Sequence, residues 1–387
     1  MNKIFDIIII GAGPAGLSAA EYALKDKSKP TVLLIDKSIP WEKPIACAEG
    51  VWTEMFENAF GKKNEWIRLY ISSVVLISAN GSSISHTAKN AGLIINRPKM
   101  QQDMAENIKK LGGEILLNCK ISNIATENDS LRKVVTQDGS FFLSKTIIDA
   151  SGPISCFGKN QKISYKPLDL EPAYFAIAEN VNIDNDKIYI HLSSSMAPGG
   201  YAWAFPRENR NANIGIVVAK EYSSKINIKQ NLNMFIKKYF PDAKILYYHA
   251  GCIPCAKKLG TIAYNKLIKA GDAASMVNPI TRAGIIEAVY SGRLAARCAL
   301  DILKATSQKQ IDIAYKNYHK NWYNLLGKKH EKLWRVKNAF FKIPDKDYDN
   351  AFYTLSQIPS NKRTISKIIR ISLGRFPNLI WAMRHLI

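Results

Sequence analysis

Acidic residues are under-represented. The chain has 32 Asp and Glu against 54 Lys and Arg, a net charge of +22 over 387 residues. Such an excess argues against a cationic partner and points to a polyanion: nucleic acid, an anionic membrane or a phosphorylated substrate. Abundant Lys, Ile and Asn leave compositional background as a competing source of part of it. Cysteine is also scarce, with six residues at 47, 119, 156, 252, 255 and 298. Their irregular spacing excludes a small secreted disulfide framework and reads as reduced thiols in a cytosolic protein. Cys252 and Cys255 form a CxxC without a second pair, which leaves a bystander pair, a redox or disulfide pair, or half a metal site. Nor does any apolar run reach the roughly 18 to 20 residues of a membrane-spanning helix. The N-terminal MNKIFDIIIIGAGPAGLSAA carries the ingredients of a signal peptide, but Asp6 and the glycine spacing argue against one. The six His are scattered, and no metal site is expected.

What is present is globular. The hydrophobic share is 47%, with 7 Trp, 17 Tyr and 14 Phe, enough for large cores in two or three domain-sized units. Phe5 to Ile10 is a continuously apolar run that reads as a strand buried on both faces. GAGPAG follows, then a helical pattern in LSAAEYALK, then the apolar TVLLID ending at Asp36. Gly11 suits the tight turn, Gly13 a close approach to a pyrophosphate, and Gly16 close packing of helix on strand. The free N–H groups at the helix start attract phosphate, and Asp36 suits ribose hydroxyls. The pattern is that of a dinucleotide-binding unit, and an acid at 36 disfavours a 2′-phosphate. Far down the chain, LIKAGDAASMVNPITRAGIIEAVYSGRLAA reads as a strand, a Gly271-Asp272 turn and a small-residue helix. IIDASGP, residues 147–153, is another strand running into a small-residue turn. A second phosphate-approaching turn suits a long, two-headed ligand, and there is no second GxGxxG for a separate nicotinamide domain.

Residues 170–220 lose this rhythm. YFAIAENVN, KIYIHLSS, YAWAFPR and ANIGIVVAK are strand-like runs separated by turn residues, as in an antiparallel sheet. In PGGYAWAFP the two-residue period puts Tyr201, Trp203 and Phe205 on one face, either a core face or the wall of a substrate cavity.

These elements resemble the glutathione-reductase-like and p-hydroxybenzoate-hydroxylase-like flavoproteins. That resemblance implies an α/β fold: a Rossmann-like FAD-binding domain, an antiparallel β-sheet substrate domain and a C-terminal helical region. The expected boundaries are 1–165 with 250–300 for the cofactor, 166–249 for the sheet, and 301–387 for a basic helical region. It implies FAD as cofactor, touched by Gly11, Gly13, Pro14, Ala15, Gly16, Asp36, Lys37, Cys47, Ala48, Gly50, Arg97, Ile121, Gly152, Gly271, Asp272, Pro279, Ala283, Gly284 and Ile285. In that group Asp272 would hold the ribityl chain, and the 283–285 amides would face the flavin pyrimidine. Arg97 would approach the cofactor, with a plain surface charge as the alternative, and Ile121 would lie beside the adenine.

Three segments narrow the resemblance. KPIACAEGV is similar to the Cys-x-Glu-Gly loop of archaeal-type geranylgeranyl reductases, PGGYAWAFP to their PxxYxWxFP signature, and GDAASMVNPITRAGIIEAVYSG to their GDAA…NP…GI…A…SG segment. The resemblance covers residues 1 to about 300 in order. It implies reduction of C=C bonds in a geranylgeranyl lipid or prenyl pyrophosphate. An isolated alkene accepts hydride poorly unless a proton arrives with it, so the reaction needs a dry apolar site and a positioned acid. Cys47 and Glu49 are the catalytic candidates, with loop filler or a redox thiol as other readings of Cys47. Tyr201, Trp203 and Phe205 are the substrate candidates. One departure stands out: Thr281-Arg282-Ala283 replaces glycine-rich text, so Arg282 either meets the cofactor, grips a phosphate or points to solvent. Electrons would come from a ferredoxin-like protein or NAD(P)H. The basic, aromatic segments DIAYKNYHKNWYNLLGKKHEKLWRVKNAFFKI and ISKIIRISLGRFPNLIWAMRHLI read as membrane-surface helices or as caps with solvated faces. The expected location is cytoplasmic, peripheral on the inner face of the membrane, with no nucleic-acid partner. A flavin monooxygenase or halogenase, and a flavoprotein feeding electrons to a quinone, are the rival readings.

Overall fold

The computed structural model describes residues 3–42, 44–155, 163, 169–256 and 260–358. The chain divides into two compact units. One is Met1–Ile45, Arg97–Asp169 and Pro254–Glu331; the other is Ala46–Asn96, Leu170–Ile253 and Lys332–Ile387.

The first unit is built on a mixed sheet with a parallel centre. Its strands are β1 (Ile4–Ile10), β2 (Val32–Ile35), β6 (Glu114–Leu116), β7 (Ile121–Thr126), β8 (Arg132–Thr136), β9 (Phe141–Asp149), β15 (Ala263–Tyr264) and β16 (Leu267–Lys269). The order is β15-β16-β9-β1-β2-β6, with β8 joining β9 and β7 joining β8. β1 runs parallel to β2 and β9, with Ile10 opposite Ile35 and Asp149. Ile7, Ile8 and Ile9 are wholly buried, which explains an apolar run without alternation: both faces are covered, and Ile8 and Ile10 pack with Ile124 of β7 and Val134 of β8. Each such side chain contributes about 1.5–3 kcal/mol of burial. The helices of this unit are α1 (Pro14–Leu24), α3 (Arg97–Lys110), α5 (Ile285–Lys304) and α6 (Gln308–Trp322).

The second unit is an eight-stranded sheet running from Lys244–Pro254 through Leu170–Glu179, Asn211–Val217, Tyr201–Arg207, Lys187–His191, Ile67–Ile77 and Ser83–Ile95 to Gly50–Trp52. Its strands are β3 (Gly50–Trp52), β4 (Ile67–Ile77), β5 (Ser83–Ile95), β10 (Leu170–Glu179), β11 (Lys187–His191), β12 (Tyr201–Arg207), β13 (Asn211–Val217) and β14 (Lys244–Pro254). The pairs β10–β13, β12–β13, β11–β12 and β4–β5 are antiparallel; β11 and β4 are parallel. On one face, Ala202, Ala204, Ile214 and Ile216 pack with Leu232 and Phe235 of α4 (Ile228–Tyr239). On the other, Trp203 and Val217 pack with Ala173, Phe175 and Ile177. α2 (Thr53–Phe60) also lies in this unit, as does α8 (Asp345–Ser356).

Two features differ from the sequence-based boundaries. Residues 46–96 belong with the antiparallel sheet, because β4 pairs with β11 through Ile77 opposite His191. Residues 301–358 do not form a separate region. α6 seals the first unit, where the fully buried Tyr318 donates to the Lys269 carbonyl at 2.6 Å. α8 packs in the second, where Tyr348, Ala351 and Phe352 close a cluster with Leu192 and Ile343. Between them, α7 (Lys328–Phe340) carries the chain from one unit to the other. The segment ISKIIRISLGRFPNLIWAMRHLI lies outside the described residues.

Candidate functional site

In the first unit the glycine turn sits between β1 and α1. Gly11 has φ +106°, and a Cβ there would lie 2.3 Å from the Ala150 carbonyl oxygen. A Cβ on Gly16 would lie 1.8 Å from the Gly11 carbonyl oxygen, so only glycine lets helix and turn approach this closely. Gly13 is different: nothing comes within 4 Å of the position its Cβ would take. It caps α1, with Pro14 opening the helix. The first-turn amides of α1 thus border an open cradle with the polarity that binds phosphate.

Several groups hold this turn. Asp36 accepts the Ala12 N–H at 2.7 Å through Oδ2 and the Ser38 N–H at 2.9 Å through Oδ1. Oδ1 also accepts the Ser38 hydroxyl at 3.1 Å, so it is Oδ2 that keeps a second lone pair for a ribose hydroxyl. Lys37 follows and is exposed. Gln101, 1% exposed, donates to the Ala12 carbonyl at 3.0 Å and accepts from Arg97 Nε at 2.9 Å. Arg97, the first residue of α3, is therefore tied back to the glycine turn through Gln101, a residue no motif pointed to. Ile121 begins β7 and packs against the core around Phe5 and Ile8. Gly152, with φ +89°, turns the chain after β9.

At the distal end, Gly271 (φ +60°) lies against Ala15, its Cβ position 3.0 Å from the Ala15 Cβ, and its N–H donates to the buried Ser291 hydroxyl at 2.9 Å. No donor among the described residues reaches the Asp272 carboxylate. Burial pushes this carboxyl up to about 6, against the lowering pull of Arg97. Asn278 closes the following loop, accepting the Ile280 and Thr281 N–H groups at 3.0 and 3.1 Å. Pro279 is buried in it. Arg282 turns inward at φ +57°, is 8% exposed and donates to the Ile280 carbonyl at 3.0 Å; solvent is excluded as its environment. Ala283 leads to Gly284, which caps α5, and Ile285 is the first helical residue. The open space at Gly13, the acceptor at Asp272 and two helix starts fit a long, doubly anionic dinucleotide.

Glu287, in the first turn of α5, is 3% exposed and was not singled out by any motif. Burial pushes its carboxyl up to about 7, with Asp272 adding to the rise and Lys329 opposing it. The ordinary values are 3.8 for Asp272 and 4.5 for Glu287. Folded-state carboxyls with raised values hold protons that the unfolded chain has already lost. Stability is therefore greatest below the ordinary values and falls as pH rises toward about 7. Glu287→Gln is expected to remove about 3 kcal/mol of that fall, measured as the difference in urea unfolding of cofactor-free protein at about pH 5 and 8. An unchanged pH dependence would mean that Glu287 ionises as freely folded as unfolded.

In the second unit the Cys47–Gly50 turn is pinned to β12 and β13. Asn213, 2% exposed, donates from Nδ2 to the Cys47 carbonyl at 3.0 Å and accepts from Trp203 Nε1 at 2.8 Å. Glu49 is 4% exposed and adopts φ +64°. Its N–H donates to Cys47 Sγ at 3.2 Å, and its carboxylate meets Arg207 Nη2 at 2.5 Å. Ala48 packs against the cluster of Phe175, Trp203 and Phe205. The Phe205 ring lies over Gly50, within 2.7 Å of where a Cβ would stand. Tyr201, Trp203 and Phe205 do share a face of β12, and Trp203, only 7% exposed, serves there as a packed anchor. Arg207 and Asn213 were missed by motif reading. A signal existed for both: Arg207 continues the odd-numbered face of β12, and Asn213 stands opposite Phe205 across the hairpin. Cys255 of the CxxC is buried, with its N–H on the Asp169 carbonyl. Among the described residues, no group of three or more His, Cys, Asp and Glu is placed to hold a metal ion.

Comparison with known proteins finds two family models along the chain. The family model for the geranylgeranyl reductase catalytic domain matches residues 169–253, and that for lycopene cyclase protein matches residues 6–168. The digeranylgeranylglycerophospholipid reductase of Methanosarcina acetivorans is 27% identical, the match covering 100% of this chain and 97% of the relative. Digeranylgeranylglycerophospholipid reductase 2 of Methanococcoides burtonii is 29% identical over 99% of this chain and 96% of its own length. Among solved structures, a geranylgeranyl bacteriochlorophyll reductase-like protein from Thermoplasma acidophilum superposes with a TM-score of 0.87 at 23% identity, covering 100% of both chains. The myxobacterial chondrochloren halogenase, described as a variant of FAD-dependent halogenases, gives 0.68 at 16% identity, covering 97% of both. These two likenesses establish the fold. The cofactor-type cradle lies in one unit, the geranylgeranyl reductase catalytic-domain match falls on the sheet that carries PGGYAWAFP, and the chain is similar over its whole length to digeranylgeranylglycerophospholipid reductases.

Proposed function

We propose that the protein is an FAD-dependent reductase that saturates C=C bonds of geranylgeranyl chains on a lipid or prenyl pyrophosphate. The observation that carries this reading is the match of residues 169–253 to the geranylgeranyl reductase catalytic domain, within a chain similar over its whole length to reductases of that name. The chemistry that a bound, reduced FAD supplies is the hydride. Gly13, Asp36, Arg97, Asp272 and the α5 start are the residues that would hold it. The protein's own task is to exclude water and deliver a proton to the alkene as the hydride arrives. We assign that proton to the Cys47 turn, since Cys47 is partly exposed while its neighbours Glu49 and Asn213 are buried. The aromatic face of Tyr201 and Phe205, half-buried, is assigned to the isoprenoid chain.

The lipid substrate also motivates a peripheral membrane location. No helix among the described residues is long and apolar enough to cross a membrane. On α6, Lys309, Ile313, Lys316 and Lys320 form an exposed stripe at helical spacing, continued by exposed Tyr323 and Leu325 in a π-helical turn. Apolar tips among lysines suit an anionic lipid surface, at about 1 kcal/mol per basic residue. A ferredoxin-like protein or NAD(P)H is the proposed electron source.

The test is a single anaerobic experiment on the flavin-loaded protein. After reduction with dithionite, a geranylgeranyl phospholipid presented in anionic vesicles is added. The expected result is flavin reoxidation, with two hydrogens gained per double bond in the lipid. Reoxidation only after air is admitted would instead favour oxygen chemistry, the reading suggested by the halogenase-like fold.

A further inference from the structure

We propose that Arg207 is a positioning residue for Cys47: it holds Glu49 in a left-handed turn that aims a backbone N–H at the sulfur, and it neutralises the carboxylate beside that sulfur. Four contacts define the arrangement. The Cys47 carbonyl is held by Asn213 and the Glu49 carbonyl by the Ile95 N–H at 3.0 Å. The Glu49 carboxylate is held by Arg207 at 2.5 Å, and the Glu49 N–H reaches Cys47 Sγ at 3.2 Å. A residue with a Cβ at φ +64° costs about 1–2 kcal/mol, and such a conformation persists only where its surroundings enforce it. Of these contacts, only the Arg207 ion pair acts on the Glu49 side chain. Its side chains are 19% and 5% exposed, so water does not replace the guanidinium when it is removed. Glu49 then either leaves the left-handed turn, taking its N–H away from Sγ, or remains as an unpaired carboxylate next to it. Both disfavour the thiolate.

The other ionisable groups near the turn do not substitute for Arg207. Arg68 of β4 is paired with Glu208 at 2.9 Å. His249 of β14 lies edge-on to Phe175. Asn213 is uncharged and already engaged by Trp203. Arg207 is thus the group that holds the charge and the turn geometry beside the sulfur from the sheet side.

The inference rests on the reductase reading only for what the thiol does in turnover, so its test does not use turnover. The holo-protein is treated with iodoacetamide between about pH 6 and 9, where thiolate is the reacting form. Peptide mass spectrometry follows Cys47, with Cys119 of the other unit as internal reference. Arg207→Met is expected to displace the Cys47 pH–rate midpoint upward by about one unit, a tenfold smaller thiolate fraction at fixed pH. The midpoint reports ionisation; the plateau absorbs any change in access. Arg207→Lys is expected to retain most of the wild-type profile. Arg207→Met/Glu49→Gln, which leaves no buried charge, is expected to fall between wild type and Arg207→Met, and it carries the test if the single variant does not fold. A wild-type Cys47 midpoint in both variants would overturn the proposal. A normal midpoint shift with no reduction of geranylgeranyl lipid would instead leave the proposal standing and overturn the reductase reading.

Discussion

Gly13→Asp is expected to yield a folded protein that has lost its flavin. Gly13 caps α1 in extended backbone, at φ −78° and ψ −179°, and nothing lies within 4 Å of its Cβ position. Aspartate is among the best residues at a helix N-cap, so the cofactor-free protein should unfold at the same denaturant concentration as wild type, or higher. The added carboxylate, however, fills the cradle with the wrong charge. Two unit charges about 4 Å apart near a protein surface repel by about 4 kcal/mol, close to a thousandfold in affinity. Gly16→Val is the contrasting variant. Its Cβ would collide with the Gly11 carbonyl oxygen, so fold and flavin should fail together. Flavin titration and urea unfolding of both variants separate a cradle shaped for a ligand from a turn shaped for packing. Tight flavin binding by Gly13→Asp would place the pyrophosphate elsewhere.

The strand, glycine turn and helix at the start of the first unit were legible in the sequence because their determinants are local. Strand, glycine turn, helix, strand and acid follow one another between Ile4 and Asp36, and each residue type answers a nearby steric or electrostatic need. The aromatic face of β12 was legible for the same reason, since a period of two needs only a few residues to show. What escaped depends on contacts distant in sequence. Residues 46–96 join the antiparallel sheet through pairing of Lys187–His191 with Ser73–Ile77, and no local pattern encodes a partner more than a hundred residues away. Gln101, Glu287 and Asn213 carry no motif; each matters because the fold buries a polar group and places it beside another. Arg207 was within reach, one strand period beyond Phe205, but its role appears only when Glu49 arrives from the other end of the sheet. The basic helix α6 read as a surface element, and its lysines are exposed; its aromatic side chains are not all on that surface, for Tyr318 and Trp322 are each 2% exposed.

The largest expected stability effect lies away from the glycine turn and the Cys47 turn. Lys337 of α7 and Glu171 of β10 meet at 2.6 Å, with side chains 6% and 0% exposed. Withdrawing two charges from water costs several kcal/mol per ion, and their attraction offsets that cost only while both are present. Lys337→Met keeps the volume and removes the cation, leaving a carboxylate in a low-dielectric interior. The expected loss is about 3–5 kcal/mol, read as a shift in the urea midpoint at neutral pH. Lys337→Met/Glu171→Leu removes both charges and should recover most of that loss, even exceeding wild type by about 1–4 kcal/mol if the apolar pair packs well. The double variant decides what the pair is for. Recovery with intact flavin chemistry makes the pair a device for fixing where α7 lies on the sheet, dispensable once both charges are gone. Failure to recover would show that the carboxylate of Glu171 has further work in this unit that an apolar side chain cannot do.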